Sequence, residues 1–424
     1  MPARADALAA SGLPQGVIAG HDWRRLPAPA ARWPGARDHP AIDSAVNAAM
    51  QAHGIVGAGI CIVADGEIVF ASGYGWAAIG TRPFRATTAT RCGSLAKPVT
   101  ALCALLLADR GALDLDAPIL PLLATIGITP APTGDASPDP RIGRITARHL
   151  MDHTSGLPAV AAYTAWREER CLIREHGLER TPTGADAARD ALGNAPLDSD
   201  PGERYQYANA NFVLLARVAE AAAGRPFGEL LPEAMARFGL APDEVYVSRN
   251  QTEPDDAARG ANEATYYQTS TERYVSFLPE CQERGRVYGE AYHGYATEVS
   301  DGAGGLACTA LGLGRLIANL QSASPALSTR ALAEIATPPE HCRRRSDFDP
   351  AAEAFYSKGF QVGLECGRPV LGHGGMTNHC GGVIGHAAGR QYVAVSNWQA
   401  PASPYVDRLL GDALRRALEE QGRD

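Results

Sequence analysis

Lysine is nearly absent from this chain of 424 residues. Of the 39 residues counted as Lys plus Arg, only Lys97 and Lys358 are lysine and 37 are arginine. Positive charge is therefore carried by a side chain that does not lose its proton in a protein, and the two exceptions call for a chemical reason. Long apolar runs are missing as well: the longest candidate, ALCALLLA from residue 101, falls far short of the ~20 residues that cross a bilayer. The first residues, MPARADALAASGLPQG, lack the basic start and apolar core of an export signal, which predicts a cytoplasmic protein. Positive charge is not in excess, and a net charge of −8 argues against a nucleic-acid or membrane-surface partner. Nine cysteines are present, but none forms a CxxC pair or a His/Cys metal spacing. They read as buried free thiols in a reducing compartment, with no metal and no cofactor expected. A hydrophobic content of 45% with 20% charged residues is ordinary for a globular protein with a large core.

Residues 1–38, rich in Ala, Pro and Arg, read as an extension on the body of the protein. AIDSAVNAAMQAHG (41–54) has helical apolar spacing and a glycine stop. Two β-branched runs then flank Asp65-Gly66, a strong hairpin signal. TALCALLLADRG predicts a hydrophobic helix ending at Gly111, with Pro98 in its first turn, where a missing N–H costs little. Residues 112–300 read as helical segments and loops, and strand patterns return at FQVGLE (360–365) and QYVAVSNW (391–398). SPYVDRLLGDALRRALEEQ (403–421) is an amphipathic last helix. The reading is an α+β fold: residues 39–75 and 300–424 form a discontinuous domain, an antiparallel sheet flanked by the first and last helices. Residues 76–299 form a large, mostly helical insertion.

Three short stretches carry chemistry. In GSLAKPV (93–99), Ser94 and Lys97 are three residues apart and share a face if the helix starts near the serine. A serine hydroxyl is a poor nucleophile until a base takes its proton, and a buried lysine can be that base because burial disfavours its charged form. Arginine cannot. In PGERYQYANANFVLL (201–215), Tyr207 and Asn209 follow a Pro-Gly turn. A phenol near an ammonium has a lowered pKa and can relay a proton to a leaving group. Asn209 can donate its amide to a substrate carbonyl or hold Lys97 in place. In LGHGGMTNHCGG (371–382), glycines permit close approach to a strand edge, His373 can place a donor near a substrate, and a backbone N–H can complete an oxyanion hole. Each stretch has a plainer explanation: a chance Ser-x-x-Lys, a helix N-cap asparagine, a glycine-rich turn with an incidental histidine.

Taken in order, Ser94-Leu-Ala-Lys97, Tyr207-Ala-Asn209 and His373-Gly-Gly375 resemble the S-x-x-K, Y-x-N and K-T-G or H-x-G motifs of the serine β-lactamase and penicillin-binding-protein superfamily. The likeness is to its class C β-lactamase-like esterases and D-aminopeptidases. DHTSGLP (152–158), LDLDAPI (113–119), PGERYQY (201–207) and GAGGLACTA (302–310) match as well, and the resemblance runs over about residues 40–420. It implies a β-lactamase/transpeptidase-like fold, Ser94 as the acylated nucleophile, and acid and base duties shared by Lys97 and Tyr207. Which of those two takes the first proton is left open by the resemblance. It also implies an oxyanion hole from the N–H groups of Ser94 and Met376, beside Gly374 and Gly375, and Asn209 orienting the acyl side of the substrate. His153, in the HTSG phrase, reads as structural.

His373 stands where lactamases place a lysine, and an imidazole holds a substrate carboxylate less well near pH 7. With no export signal, this favours an intracellular ester or amide over an antibiotic or peptidoglycan. The leading expectation is a serine acyl hydrolase using a small-molecule ester, amide or other acyl donor. The alternative is a transacylase that passes the acyl group to an amine or alcohol in natural-product assembly. A non-catalytic binding protein on the same scaffold would have lost the serine, lysine or tyrosine, and none is lost here. Six tyrosines crowd residues 261–295 (266, 267, 274, 288, 292 and 295) and either wall an acyl pocket or pack their own loop.

Overall fold

A computed structural model describes residues 31–33, 39–159, 171–249, 262–267, 273–275, 287–289, 297–365, 367–377, 380–398 and 406–422. Helix α1 (Pro40–His53) opens on a proline and stops at Gly54, whose φ of 68° is the left-handed cap the sequence predicts there. Strands β1 (Gly57–Ala64) and β2 (Glu67–Ala78) pair antiparallel around Asp65-Gly66. Both turn residues have positive φ, 49° and 80°, as a two-residue hairpin of right-handed twist requires. A short 3-10 turn (Gly93–Leu95) then leads into α2 (Ala96–Asp109), buried from Ala96 to Leu107. Helix α3 (Asn209–Ala223) packs against α2, and α4 (Ala310–Gln321) packs under β1.

The chain returns to the sheet as β3 (Phe355–Ser357), β4 (Phe360–Glu365), β5 (Arg368–Thr377), β6 (Cys380–Ala387) and β7 (Arg390–Ser396), and closes with α5 (Val406–Gln421). The strand order is Ala31–Arg32, β2, β1, β7, β6, β5, β4, β3, antiparallel throughout, with Arg82–Pro83 paired to β2 off this path. Early and late strands thus share one sheet, joined by the β1–β7 pairing. Alternation along these strands covers both faces. Ile60, Ile62, Tyr392 and Ala394 meet Ile42 and Val46 of α1 and Leu410, Leu414 and Leu418 of α5. Cys61, Val63, Val393 and Val395 join the larger core that contains Leu102, Leu214 and Leu316. This is the α+β class expected, with helices on both sides of an antiparallel sheet.

Two details differ from the sequence reading. The middle of the chain also contributes a small sheet, Thr90–Arg91, Leu306–Cys308 and Val245–Val247, whose strands are too short to leave a periodic signal. Most of the expected extension, residues 1–30 and 34–38, lies outside the described residues, while Ala31–Arg32 adds an edge strand to β2. Among the described residues no helix is long and apolar enough to cross a membrane, and the seven cysteines there are free thiols.

Candidate active site

The site begins where α2 meets the sheet. Gly93 has a φ of 53°, and a side-chain carbon there would stand 2.3 Å from the Met376 amide nitrogen. At Gly375 such a carbon would fall 2.1 Å from the Cys92 carbonyl oxygen. Only glycine at both positions lets the helix start lie directly on β5. β4 pairs with β5 as far as Gln361↔Gly372, and β6 takes over from His373 onward. The outer edge of β5 beyond Gly372 therefore carries no strand among the described residues, and the Gly93–Leu95 turn packs against this part of the strand.

That turn holds Ser94, and Lys97 follows one turn later on the same face. Lys97 is fully buried, and its Nζ reaches Ser94 Oγ at 3.0 Å, Asn209 Oδ1 at 2.9 Å and the Ala303 carbonyl at 2.7 Å. Burial pushes its pKa down to about 7. In the neutral form the amine has two N–H bonds and one lone pair. Asn209 Oδ1 and Ala303 O only accept, so they take the two N–H bonds and the lone pair is left to the Ser94 hydroxyl. Tyr207 donates its hydroxyl to Ser94 Oγ at 2.9 Å, and its ring lies 4.8 Å from Lys97 Nζ.

The sequence reading lowered the Tyr207 pKa through the neighbouring ammonium; the structure raises it. Burial is the largest cause and outweighs the hydrogen bond with Ser94 that favours the phenolate, and Lys97, with its pKa lowered to about 7, is only partly charged near neutral pH. Asn209 is the first residue of α3 and makes no capping bond; its amide oxygen goes to Lys97 instead. Of the two roles offered for Asn209, holding the lysine is the one the geometry displays.

His153 seats Tyr207. Its ring is buried, with centroids 4.3 Å apart from Tyr207, and its Nδ1 accepts from the Ala208 amide (3.2 Å) and from Asn211 Nδ2 (2.9 Å). Ser155 Oγ donates to Asn211 Oδ1 at 2.5 Å, which fixes that amide with its NH2 toward His153. Burial, with Lys97 and His373 adding to it, holds the His153 pKa well below its ordinary value. Next to it, Asp152 accepts from Lys358 Nζ through both oxygens, each at 2.9 Å, which ties this loop to the β3–β4 turn. Both lysines of the chain are thus buried, one beside the serine and one in an ion pair.

His373 is 5% exposed. Its Nδ1 lies 2.6 Å from the Gly374 carbonyl and its Nε2 3.0 Å from Tyr356 Oη, so both ring nitrogens are engaged within the protein. The donor expected for a substrate is spent on Gly374. Gly374 and Gly375 leave the strand bare of side chains, and Met376 is exposed. Tyr356, the Ala303 carbonyl and the Asp152–Lys358 pair escaped the sequence reading; only the quoted GAGGLACTA and DHTSGLP phrases pointed to their neighbourhoods.

The tyrosine-rich stretch does less than its composition suggests. Tyr266 accepts from the Arg91 amide (2.8 Å) under the Arg91 guanidinium, and Tyr267 accepts from the Ile79 amide (2.7 Å); both are packing partners. Tyr274 and Tyr288 are register partners on two short paired strands, and Tyr292 and Tyr295 lie outside the described residues. A cavity of about 860 Å³ opens under the hairpin turns, between Ile335, Arg368 and Leu371, and includes none of the motif residues.

With this geometry in hand, comparison with known proteins is informative. The family model described as Beta-lactamase matches residues 42–415. Esterase EstB of Burkholderia gladioli is 32% identical over 197 residues, 46% of this chain and 48% of that protein. Monacolin J acid methylbutanoyltransferase of Aspergillus terreus is 30% identical over 187 residues, 43% of each. The chain therefore spans less than half the length of these relatives. Among solved structures, EstCE1, a hydrolase with promiscuous acyltransferase activity, aligns with a TM-score of 0.63 at 21% identity, covering 90% of this chain and 98% of its own. The D-amino acid amidase of Ochrobactrum anthropi SV3 aligns at 0.63 and 18%, covering 91% and 99%. At these identities the likeness is one of fold.

Proposed function

This chain belongs to the Beta-lactamase family, and from that premise we propose that it is a serine acyl hydrolase that forms an acyl-enzyme at Ser94 on a small ester or amide. One observation carries the reading: Ser94 Oγ lies between a depressed-pKa amine at 3.0 Å and a protonated phenol at 2.9 Å. Neutral Lys97 takes the serine proton as Oγ attacks the carbonyl carbon. The negative charge that develops on the carbonyl oxygen is met by the N–H groups of Ser94 and Met376, a pairing that the close approach of Gly93 to Met376 supports. Tyr207, held protonated by burial, gives its proton to the leaving alkoxide or amine and recovers one from Lys97. Asn209 and Ala303 keep Nζ aimed at Oγ throughout. Water then attacks the acyl carbon with the same groups in reverse roles.

The named activities of the relatives, an esterase and an acyltransferase, support a second outcome for the same intermediate: transfer to an amine or alcohol. The edge of β5 beyond Gly372, which pairs with no strand among the described residues, is where such an acceptor would lie. Intact-mass measurement after a fluorophosphonate or an activated ester tests the nucleophile. One adduct is expected on the native chain and none on Ser94→Ala; an adduct that survives the substitution removes Ser94 from the role. Product partitioning against rising amine or alcohol separates the two outcomes. A hydrolysis rate indifferent to every acceptor leaves the hydrolase alone.

A further inference from the structure

The catalytic groups leave one buried hydroxyl beside them without a role. Tyr356, on β3, is 7% exposed, and its ring lies 4.8 Å from His153, 5.7 Å from Tyr205, 6.3 Å from Tyr207 and 5.7 Å from His373, centroid to centroid. Its hydroxyl meets His373 Nε2 at 3.0 Å, while the opposite nitrogen of that ring faces the Gly374 carbonyl at 2.6 Å. A carbonyl only accepts, so Nδ1 carries the ring proton. A neutral ring then has a bare Nε2, and the Tyr356 hydroxyl donates to it. The Tyr356 phenol is itself held protonated by burial, which keeps that donor in place.

On the acyl-enzyme reading above, we propose that Tyr356 sets the acyl-donor class of this site. By filling His373 Nε2 it locks the third motif uncharged, so the site takes uncharged acyl donors and turns away those bearing a carboxylate beside the reacting carbonyl. Tyr356 is a positioning residue in this role, since it acts through His373. The titratable groups around the imidazole are Lys97 on α2, Tyr207 before α3, His153 in the 152–155 loop and Tyr356 on β3. Lys97 is the one amine among them, and in either protonation state its N–H groups are spent on Asn209 and Ala303 and, when it is charged, on Ser94. A substrate carboxylate here would give up water and find no free donor on the ring. Burial, with the Lys97 charge, also pushes the His373 pKa down to about 3, so lowering the pH toward 5 does not charge it.

The test has two readouts. The first compares the p-nitrophenyl esters of glutarate and of monomethyl glutarate, which differ by one carboxylate. The native enzyme is expected to favour the methyl-capped ester at least tenfold in kcat/KM between pH 6 and 8. Tyr356→Ala, which removes the phenol and opens the ring to water, is expected to narrow that ratio fivefold or more at pH 5.5, where the freed and rehydrated Nε2 takes up a proton, and His373→Lys is expected to narrow it at pH 8. Labelling at Ser94 with equal turnover of the two esters overturns the specificity alone. No labelling at Ser94 overturns the acyl-enzyme reading and the specificity with it. The second readout needs no turnover. In nitrogen-15 spectra, with His373→Gln for assignment, native His373 is expected to hold the Nδ1–H tautomer unchanged from pH 5 to 8 and to titrate in that range in Tyr356→Ala, where water reaches the ring. An Nε2–H tautomer in the native protein overturns the lock.

Discussion

Lys97 and Asn209, 112 residues apart in the chain, meet at 2.9 Å through an ammonium-side nitrogen and an amide oxygen. The contact aims the lysine: with Asn209 and the Ala303 carbonyl taking its protons, the lone pair of the neutral amine has Ser94 as its one remaining neighbour. Arginine in this place keeps its charge and has no lone pair to offer. Lys97→Arg is therefore expected to lower kcat/KM for an activated ester by about 10²–10⁴, the span of general-base effects. Stopped-flow ester hydrolysis checks it; a loss under tenfold would take the base role away from Lys97.

The same amine sets a pH dependence with a definite sign. Its pKa is lowered to about 7, and the reactive form is the deprotonated one, so kcat/KM should rise as pH increases through about 7 and then level off. Protonation below that range removes the base. A pH–rate profile flat from 5.5 to 8.5 would contradict the assignment. His153 and His373, both held neutral by burial, add no second limb there.

Tyr207, raised by burial, is the acid in this scheme, and an acid matters in proportion to how poor the leaving group is. Tyr207→Phe is expected to slow an alkyl ester or an anilide by about 10²–10⁴. A p-nitrophenyl ester, whose phenolate departs unaided, should lose far less. Equal losses on both substrates, measured side by side, would assign Tyr207 to another role.

These groups were legible in the sequence to unequal degrees. Ser94-x-x-Lys97 and Tyr207-x-Asn209 are local patterns, and the Asp65-Gly66 hairpin and Gly54 cap follow from backbone rules that need no tertiary knowledge. The Ala303 carbonyl is a backbone atom that any residue would supply, so no side chain announces it. Tyr356 depends on register, because strand β3 has three residues and reaches His373 only through β4. The direction of the Tyr207 shift depends on burial against charge, and burial at a given position is a property of the whole fold.

The second lysine makes a stability argument. Lys358 and Asp152 are 3% exposed at their side chains and bonded through both carboxylate oxygens, with Glu334 at 4.0 Å from Nζ. Removing one partner leaves the other buried and charged. Asp152→Leu is expected to cost about 3–5 kcal/mol in urea unfolding, while Asp152→Leu with Lys358→Met should cost clearly less than the sum of the two single changes. Simple additivity in that cycle would mean that the pair is not coupled.

Gly93 gives the sharpest test of how fold and site depend on each other. An alanine there meets two separate obstacles. Its φ of 53° is left-handed backbone, which costs an L-residue with a Cβ about 1–2 kcal/mol. Its new carbon would also lie 2.3 Å from the Met376 nitrogen and 2.5 Å from the Met376 carbonyl oxygen, both backbone atoms that cannot turn aside as a flexible side chain would. The helix start and β5 must separate by a good fraction of an ångström, and those are the two elements that carry the proposed oxyanion donors. Loss of one such donor alone costs about 10²–10³ in turnover. Gly93→Ala is therefore expected to lower acylation of Ser94 by at least that factor while lowering the unfolding midpoint only modestly. The rate of fluorophosphonate labelling and a thermal melt, measured on the same preparation, check both halves. Labelling at the native rate with a lowered melt would show that the contact at Gly93 serves the fold and that the oxyanion donors lie elsewhere.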